Sequence, residues 1–218
     1  GMLAALFVLP PTAALKLLGA LGIAAGALTL FRGGPRQRSL AAALLTAAIA
    51  APFVIPPDWI RLRPSEYKEL AQTLRIDGTQ IAAEASSPLG LVTVVESANV
   101  PFRHAPGMSL AATMEPPPQL AVFTDGDGLS ALTRYDGRRE PLAYLDQLTS
   151  ALPYHLVPPP RVLVLGAGAG ADVLQAIYHG ARSIDAVELN AQVVDLVGRR
   201  FADFSGAPYS APGVRIHV

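Results

Sequence analysis

A glycine-rich turn between two apolar runs constrains the fold of this chain more than any other feature. Residues 162–165 form an apolar run that suits a buried parallel strand, and Gly166, Gly168 and Gly170 follow it in G-x-G-x-G spacing. Glu188 closes the next apolar run, 22 residues after Gly166. In a nucleotide-binding βαβ unit, a carboxylate at this place accepts hydrogen bonds from ribose hydroxyls. The stretch therefore predicts a Rossmann-like, nucleoside-binding unit.

The glycines admit two interpretations. Because glycine lacks a Cβ, the backbone can turn sharply there, and a ligand can come close to the amides at the start of the next helix. The alternative is a tight turn in an α/β core that holds no ligand. The strand before the turn, the helix after it and the acid at the expected distance all favour the ligand-binding interpretation.

The beginning of the chain is dominated by two long apolar stretches. Residues 12–31 contain one charge, Lys16, and a helix of about 20 residues matches the hydrocarbon thickness of a bilayer. A second apolar stretch, residues 39–55, follows a polar turn that contains arginines, and Trp59 lies where an interfacial aromatic residue would. The pattern predicts a transmembrane helical segment over residues 1–57.

Charge is distributed unevenly along the chain, although the formal net charge is zero. Residues 1–63 hold six lysines and arginines and one acid, so the remainder is net negative. This favours a membrane-facing part joined to a soluble part, whereas the alternative is a buried helical hairpin in a soluble protein. Arginines lie on both sides of the second apolar stretch, so the positive-inside rule is nearly balanced. We expect the inner (plasma) membrane, with the soluble part in the cytoplasm, where a nucleotide-like cofactor is available.

The composition excludes several kinds of site. The chain has no cysteine, so disulfides and thiolate metal sites are ruled out. Its four histidines lack metal-ligand spacing, and no metal is expected. The sequence has no basic patch studded with aromatic residues, so nucleic acid is not an expected partner.

The middle of the chain predicts a short helix followed by β structure. Residues 58–85 are expected to contain a connecting helix, around residues 65–74. Residues 91–96 and 120–124 are β-rich runs. The Asp-Gly-Asp-Gly sequence at residues 125–128 is typical of a hairpin turn.

The predicted fold class is α/β, with transmembrane helices, a small antiparallel β domain and then a Rossmann-like (class I methyltransferase-type) domain. The β domain and a linking helix, read over residues 142–152, occupy residues 86–157. Three prolines lead into the Rossmann-like domain, residues 158–218. Residues 214–218 read as its third strand. Three strands would leave a sheet edge and a face uncovered, so a C-terminally truncated domain is expected.

These segments together resemble the spermidine synthase (polyamine aminopropyltransferase) family, especially its bacterial members fused to membrane helices. The resemblance covers residues 65–218, in family order. The strand, glycine turn and acid are shared with class I methyltransferases, and the β domain ahead of them narrows the choice. Four sequences carry the resemblance: SPLGLVTVVES, FTDGDGLSALTRYDG, LAYLDQLTSALPYHL and VLVLGAGAGADVLQAIYHGARSIDAVELN.

The resemblance implies a co-substrate and a place for it. In that family the nucleoside of decarboxylated S-adenosylmethionine lies over the glycine turn. Gly166, Gly168 and Gly170 would therefore line the nucleoside, and Glu188 would hold its ribose hydroxyls. The family's catalytic acid follows its fourth strand, so the resemblance places it beyond Val218. Members often form dimers, so the resemblance allows a homodimer beside the expected membrane lipid and small-molecule amine partners.

Recognition of the amine substrate departs from the family pattern. Tyr144 matches a family residue, although packing against the β domain would also explain it, and Asp146 is a nearby carboxylate candidate. The family has polar residues where this chain has Gly90, Leu145 and Ala169. A buried cationic amine needs carboxylates or other acceptors, because its desolvation is costly.

Three functions follow as hypotheses. The first is aminopropyl transfer from decarboxylated S-adenosylmethionine to an amine such as putrescine. The second is methyl transfer from S-adenosylmethionine, and the third is a non-catalytic membrane module with a nucleoside-binding domain. Asp125 and Asp172 are also nearby carboxylate candidates for the amine, and the alternative interpretations are a turn residue for Asp125 and a helix-start carboxylate for Asp172.

Overall fold

The computed structural model describes residues 9–56, 59–60, 64–157 and 161–218. The chain divides into two compact units, one of residues 1–63 with 86–88 and one of residues 64–85 with 89–218. The predicted domain boundary at residues 57 and 58 and the predicted proline linker at residues 158–160 lie outside the described residues.

The first unit contains two 20-residue helices, α1 (Pro11–Leu30) and α2 (Pro35–Val54). Both confirm the apolar stretches as helices, and α2 begins four residues earlier than its apolar stretch because Pro35 suits the first helical turn. The two helices are long and apolar enough to cross a membrane, a test that a signal sequence or a soluble core helix also passes.

Small side chains form the contact between these helices. Ala14 and Ala27 of α1 and Ala41 and Ala48 of α2 are buried, whereas large side chains such as Phe53 remain exposed. Close packing on alanine follows from short side chains that let two backbones approach. The glycines of α1 have open space around them.

The second unit begins with a short helix and an antiparallel sheet. Helix α3 (Glu69–Thr73) precedes four strands: β1 (Thr79–Ser87), β2 (Gly90–Ser97), β3 (Gln119–Thr124) and β4 (Asp127–Thr133). They lie in the order β1-β2-β3-β4. The sheet confirms both predicted β-rich runs.

Two elements of this region differ from the prediction. β1 lies partly inside the segment expected to hold a connecting helix, because its alanine-rich sequence has no strong β signal of its own and it pairs within the sheet. The predicted helix over residues 142–152 was wrong in type. Two 3₁₀ helices, Glu140–Gln147 and Thr149–Ala151, precede the short helix α4 (Leu152–Leu156). Leu148 between them is extended, with φ −86° and ψ 149°, so no continuous α-helix forms.

A three-stranded parallel sheet completes the second unit. Strands β5 (Arg161–Leu165), β6 (Ser183–Val187) and β7 (Val214–His217) lie in sequence order and are parallel. The third strand was predicted and is confirmed. The connecting segments are α5 (Ala171–Tyr178), α6 (Ala191–Asp195), a π-helical turn Leu196–Arg200, α7 (Ala202–Ser205) and a 3₁₀ turn Pro208–Ser210.

One hydrophobic core serves both sheets of the second unit. It joins Val94 and Val122 of the antiparallel sheet to Val164, Ile184 and other apolar side chains of the parallel sheet. The segments that the sequence separates into a β domain and a Rossmann-like domain therefore share a core, which places the end of the antiparallel hairpin near the glycine turn.

Candidate functional site

The glycine turn follows β5 and leads into α5. Gly166, Gly168 and Gly170 have φ angles of 73°, 54° and 92°, all in the left-handed region. Residues with a Cβ are strained in this region. The backbone conformation of the turn therefore explains why glycine stands at these three positions.

Every backbone amide of the turn, residues 166–170, donates to an acceptor within the protein. The first two donate to Val187 O at 2.9 Å, and the third donates to Glu188 Oε2 at 2.9 Å. The fourth donates to Ser130 Oγ at 3.2 Å, and the last donates to Ala167 O at 2.9 Å. The turn therefore differs from a phosphate cradle, in which such amides point at the anion.

The carboxylate of Glu188 is fixed by two backbone amides. Its Oε2 accepts from Gly168 N at 2.9 Å, and its Oε1 accepts from Asn190 N at 2.8 Å. An ionised carboxylate has about four acceptor positions, so these two bonds leave capacity for a ligand. Glu188 is half-buried, which limits competition from water.

A cavity of about 410 Å³ lies against the turn and Glu188. Its lining includes Gly166, Gly168 and Glu188, and the antiparallel sheet contributes Val122 and Ser130. Three of the four predicted co-substrate residues thus meet at one cavity.

The fourth predicted residue, Gly170, has a different place. A Cβ built on it would lie 3.1 Å from Pro208 Cγ, and it is not part of the cavity lining. Gly170 therefore serves close packing at the start of α5.

The cavity carries little charge, and its lining mixes aliphatic and polar side chains. Among the described residues that line it, Glu188 is the single ionisable side chain. Val122, Leu189 and Val193 are among the aliphatic ones. A cavity with one carboxylate and no lining cation attracts cationic ligands and hydrogen-bond donors, and disfavours anions.

Tyr144, predicted to contact the amine substrate, lies in the core. Its side chain is 2% exposed, and its hydroxyl lies 3.2 Å from Thr133 Oγ1, which also accepts from Gln119 Nε2 at 3.2 Å. Burial raises the pKa of Tyr144. The residue does not line the cavity, and its contacts match the packing interpretation.

Asp146, the second predicted substrate residue, belongs to a histidine cluster. Its Oδ1 lies 2.7 Å from His155 Nε2 and 3.5 Å from His179 Nε2. The ring of His179 stacks on Tyr154 at a centroid distance of 4.4 Å. Asp146 is not part of the cavity lining either.

Three residues of the site carried no recognisable signal in the sequence. Ser130 holds the amide of Ala169, and Asn190 offers its own amide to Glu188. Tyr209 donates its hydroxyl to Gly168 O at 2.5 Å, and burial is the main reason that its pKa is raised. Serine and tyrosine at these sequence separations form no motif, so only the fold brings them to the turn.

A metal site is not formed by the described part of the chain, where no group of three histidine, aspartate or glutamate side chains could hold an ion.

Comparisons with known proteins add little to this geometry. No family model matches the chain, and no curated protein matches it. Among solved structures, it is similar to a spermidine synthase crystallised in complex with the transition-state analogue AdoDATO, with 16% sequence identity and a TM-score of 0.42. The match covers 64% of this chain, which spans 40% of the length of that synthase. We take no residue role from this likeness.

Proposed function

We propose that the cavity binds the nucleoside of decarboxylated S-adenosylmethionine and that the protein is a membrane-anchored, spermidine synthase-like aminopropyltransferase. The supporting observation is Glu188, which two backbone amides fix against the cavity beside the glycine turn. A fixed carboxylate with spare acceptor capacity suits the two neighbouring hydroxyls of a ribose.

The backbone amides of the turn already donate hydrogen bonds within the protein, which favours a nucleoside without phosphates as the ligand. A dinucleotide needs free amides or cations for its pyrophosphate, whereas residues 166–170 all donate within the protein and Glu188 would repel an anion. A sulfonium nucleoside is cationic, so the same carboxylate attracts it.

The proposed reaction joins an amine to a three-carbon chain. The amine nitrogen attacks the methylene beside the sulfonium, the C–N bond forms as the C–S bond breaks, and neutral methylthioadenosine leaves with the sulfur electron pair. The attacking amine must lose its proton to a base, and none of the described residues is assigned that role. The described residues would bind and orient the nucleoside.

Anchoring in the inner membrane is part of the proposal. Large apolar side chains on both helices, including Leu28 at 61% and Ile49 at 72%, are exposed, and contiguous exposed apolar surface marks an interaction with lipid or protein. Lys16 lies near one end of α1, and Arg32 in the turn between the helices and Arg36 and Arg38 in the first turn of α2 lie where charged side chains can reach the headgroups. We place the second unit in the cytoplasm.

Methyl transfer is a second candidate because of Ala169. Its methyl group is 2% exposed and stands where the aminopropyltransferase family has an aspartate. Without that carboxylate the turn itself has no partner for the ammonium of an aminopropyl chain, and S-adenosylmethionine would use the same nucleoside position.

Calorimetric titration of the 218-residue chain in detergent tests the proposal. We expect decarboxylated S-adenosylmethionine to bind more tightly than S-adenosylmethionine. Glu188→Gln should weaken binding of both nucleosides at least about tenfold, because hydrogen bonds to a charged acceptor contribute about 1.5–3 kcal/mol. Asp172→Asn is the matched control, because Asp172 is an exposed acid near the same turn that does not line the cavity.

Three outcomes would count against the proposal. Preference for the carboxylated form would favour the methyltransferase, binding of neither would favour a non-catalytic membrane module, and an equal loss in both variants would remove Glu188 from the site.

A further inference from the structure

Gly90, at the start of β2, is a position that no other residue can occupy without strain. Its φ of +136° lies outside the range that L side chains adopt. A Cβ built there would lie 2.9 Å from Asp125 Oδ2 and 3.1 Å from Asp125 Cγ. The carboxylate of Asp125 thus occupies the space that a side chain at position 90 would need.

The hairpin turn holds Asp125 firmly, although the residue is exposed. Its Oδ1 accepts from Leu91 N at 2.8 Å, its own amide donates to Leu91 O at 2.8 Å, and its φ is 50°. Its carbonyl oxygen accepts from Lys68 Nζ at 2.7 Å. No described residue donates a hydrogen bond to Oδ2, so this oxygen has acceptor capacity left.

Asp125 stands at the rim of the candidate nucleoside cavity. It follows Thr124 directly and touches Gly90, which follows Leu89, and both Thr124 and Leu89 line the cavity. Glu188, the only lining carboxylate in the described part of the chain, is fixed by two backbone amides and is assigned to the ribose hydroxyls. Asp125 is therefore the acid beside the cavity that is left to pair with a cationic group.

We propose that Asp125 recognises the primary ammonium group of the aminopropyl chain at the cavity rim. Gly90 and Ala169 lack polar side chains at two positions expected to contact amines, and the carboxylate of Asp125 fills the space at the first of them. This assignment rests on the proposed function, because it presumes that the nucleoside lies against Glu188.

A neighbouring acid in the same turn gives a matched comparison. Asp127 Oδ2 forms a salt bridge with Lys68 Nζ at 2.9 Å, and its Oδ1 accepts from Glu69 N at 3.2 Å. Both oxygens of Asp127 are therefore used within the protein, and it lies two residues from Asp125. Removing its charge changes the local field by the same formal amount without removing an available acceptor.

The test measures dissociation constants of the full chain in detergent, at low ionic strength, for two probes. Decarboxylated S-adenosylmethionine carries the ammonium group, and methylthioadenosine has the nucleoside without it. Asp125→Asn keeps an oxygen for Leu91 N, and asparagine tolerates a positive φ, so the turn should fold. Asp125→Glu restores the charge on a longer side chain, and the unfolding midpoint of each variant checks the fold.

We expect Asp125→Asn to weaken binding of decarboxylated S-adenosylmethionine about fivefold, as for a partly exposed charge pair, and to leave methylthioadenosine unchanged. Asp127→Asn should change neither constant, and Asp125→Glu should recover part of the loss. An equal change for both probes, or no change, would overturn the assignment while leaving the proposed function standing. Failure of the unaltered chain to bind either probe would overturn both.

Discussion

The two units of the molecule use apolar residues in opposite ways. The helical unit buries small side chains, such as Ala27 and Ala41, and exposes large ones, such as Phe53. The mixed α/β unit buries large side chains, among them Phe123 and Ile184. Burial of large apolar side chains stabilises a protein in water, so the second unit has the kind of hydrophobic core that soluble proteins have. The helical unit instead exposes large apolar side chains, as expected of a surface that contacts lipid or another protein.

Truncation of a large apolar side chain should give the largest difference in stability loss between the two units. Ile184→Ala removes a side chain that is 1% exposed and should lower the free energy of unfolding of the second unit by about 3 kcal/mol. Leu28→Ala in α1 is the control and should change it by less than about 0.5 kcal/mol. Chemical denaturation followed by the fluorescence of the tyrosines measures both, and equal losses would contradict the comparison.

Glycine replacements should have opposite signs in the two units. Gly170→Ala meets a φ of +92° and Pro208 Cγ at 3.1 Å, so it should destabilise the second unit by about 2 kcal/mol. Gly22→Ala has open space around it in a helix interior and should stabilise α1 by up to about 1 kcal/mol. Thermal unfolding in detergent measures both shifts. The idea fails if both variants move the midpoint in the same direction.

The side chain of Lys16, in α1, forms polar contacts with the end of α2. Its Nζ donates to Ile55 O at 2.7 Å and to Pro52 O at 3.2 Å, which satisfies carbonyls at the C-terminal end of α2. Lys16→Met should destabilise the helix pair by about 1 kcal/mol. Arg32→Met, in the exposed turn, is the control. An unchanged unfolding midpoint in Lys16→Met would show that this contact does not hold the helices.

The smallest expected effect is a pH dependence of the second unit. Burial lowers the pKa of His179 below 6.5, against a weaker opposite influence of Asp146. The unfolded chain then binds more protons than the folded one just below pH 6.5, so this histidine's contribution to stability is present above pH 6.5 and is lost as pH falls through the folded pKa.

Burial also lowers the pKa of His104, so the two histidines act in the same direction. His179→Phe keeps a ring to stack on Tyr154 and should reduce the loss of thermal stability between pH 7.5 and 5.5. A steeper loss in that variant would mean that the pair with Asp146 dominates instead.

The sequence by itself determined the elements whose signals are local. The glycine spacing matches left-handed φ angles at the turn, and two long apolar stretches became helices. The apolar run 162–165 became a strand of the parallel sheet, but Leu163 and Leu165 are exposed, so the prediction that this strand is buried was wrong for them. The sequence predicted that Glu188 ends the second strand of the βαβ unit, because the length of such a unit fixes where that strand ends, and the residue follows β6 and lines the cavity. Its binding to a ribose stays a prediction. These features depend on neighbouring residues, so a single chain can reveal them.

Only the tertiary structure decided the contacts between distant segments. Ser130 reaches the glycine turn across 39 residues, Tyr209 across 41, and Asp125 fills the space beside Gly90. The same packing placed Tyr144 in the core and Asp146 among histidines, although the family resemblance suggested a substrate contact for Tyr144 and Asp146 was a nearby carboxylate candidate. Such contacts depend on how two sheets share one core, and no periodicity or motif in the sequence encodes that arrangement.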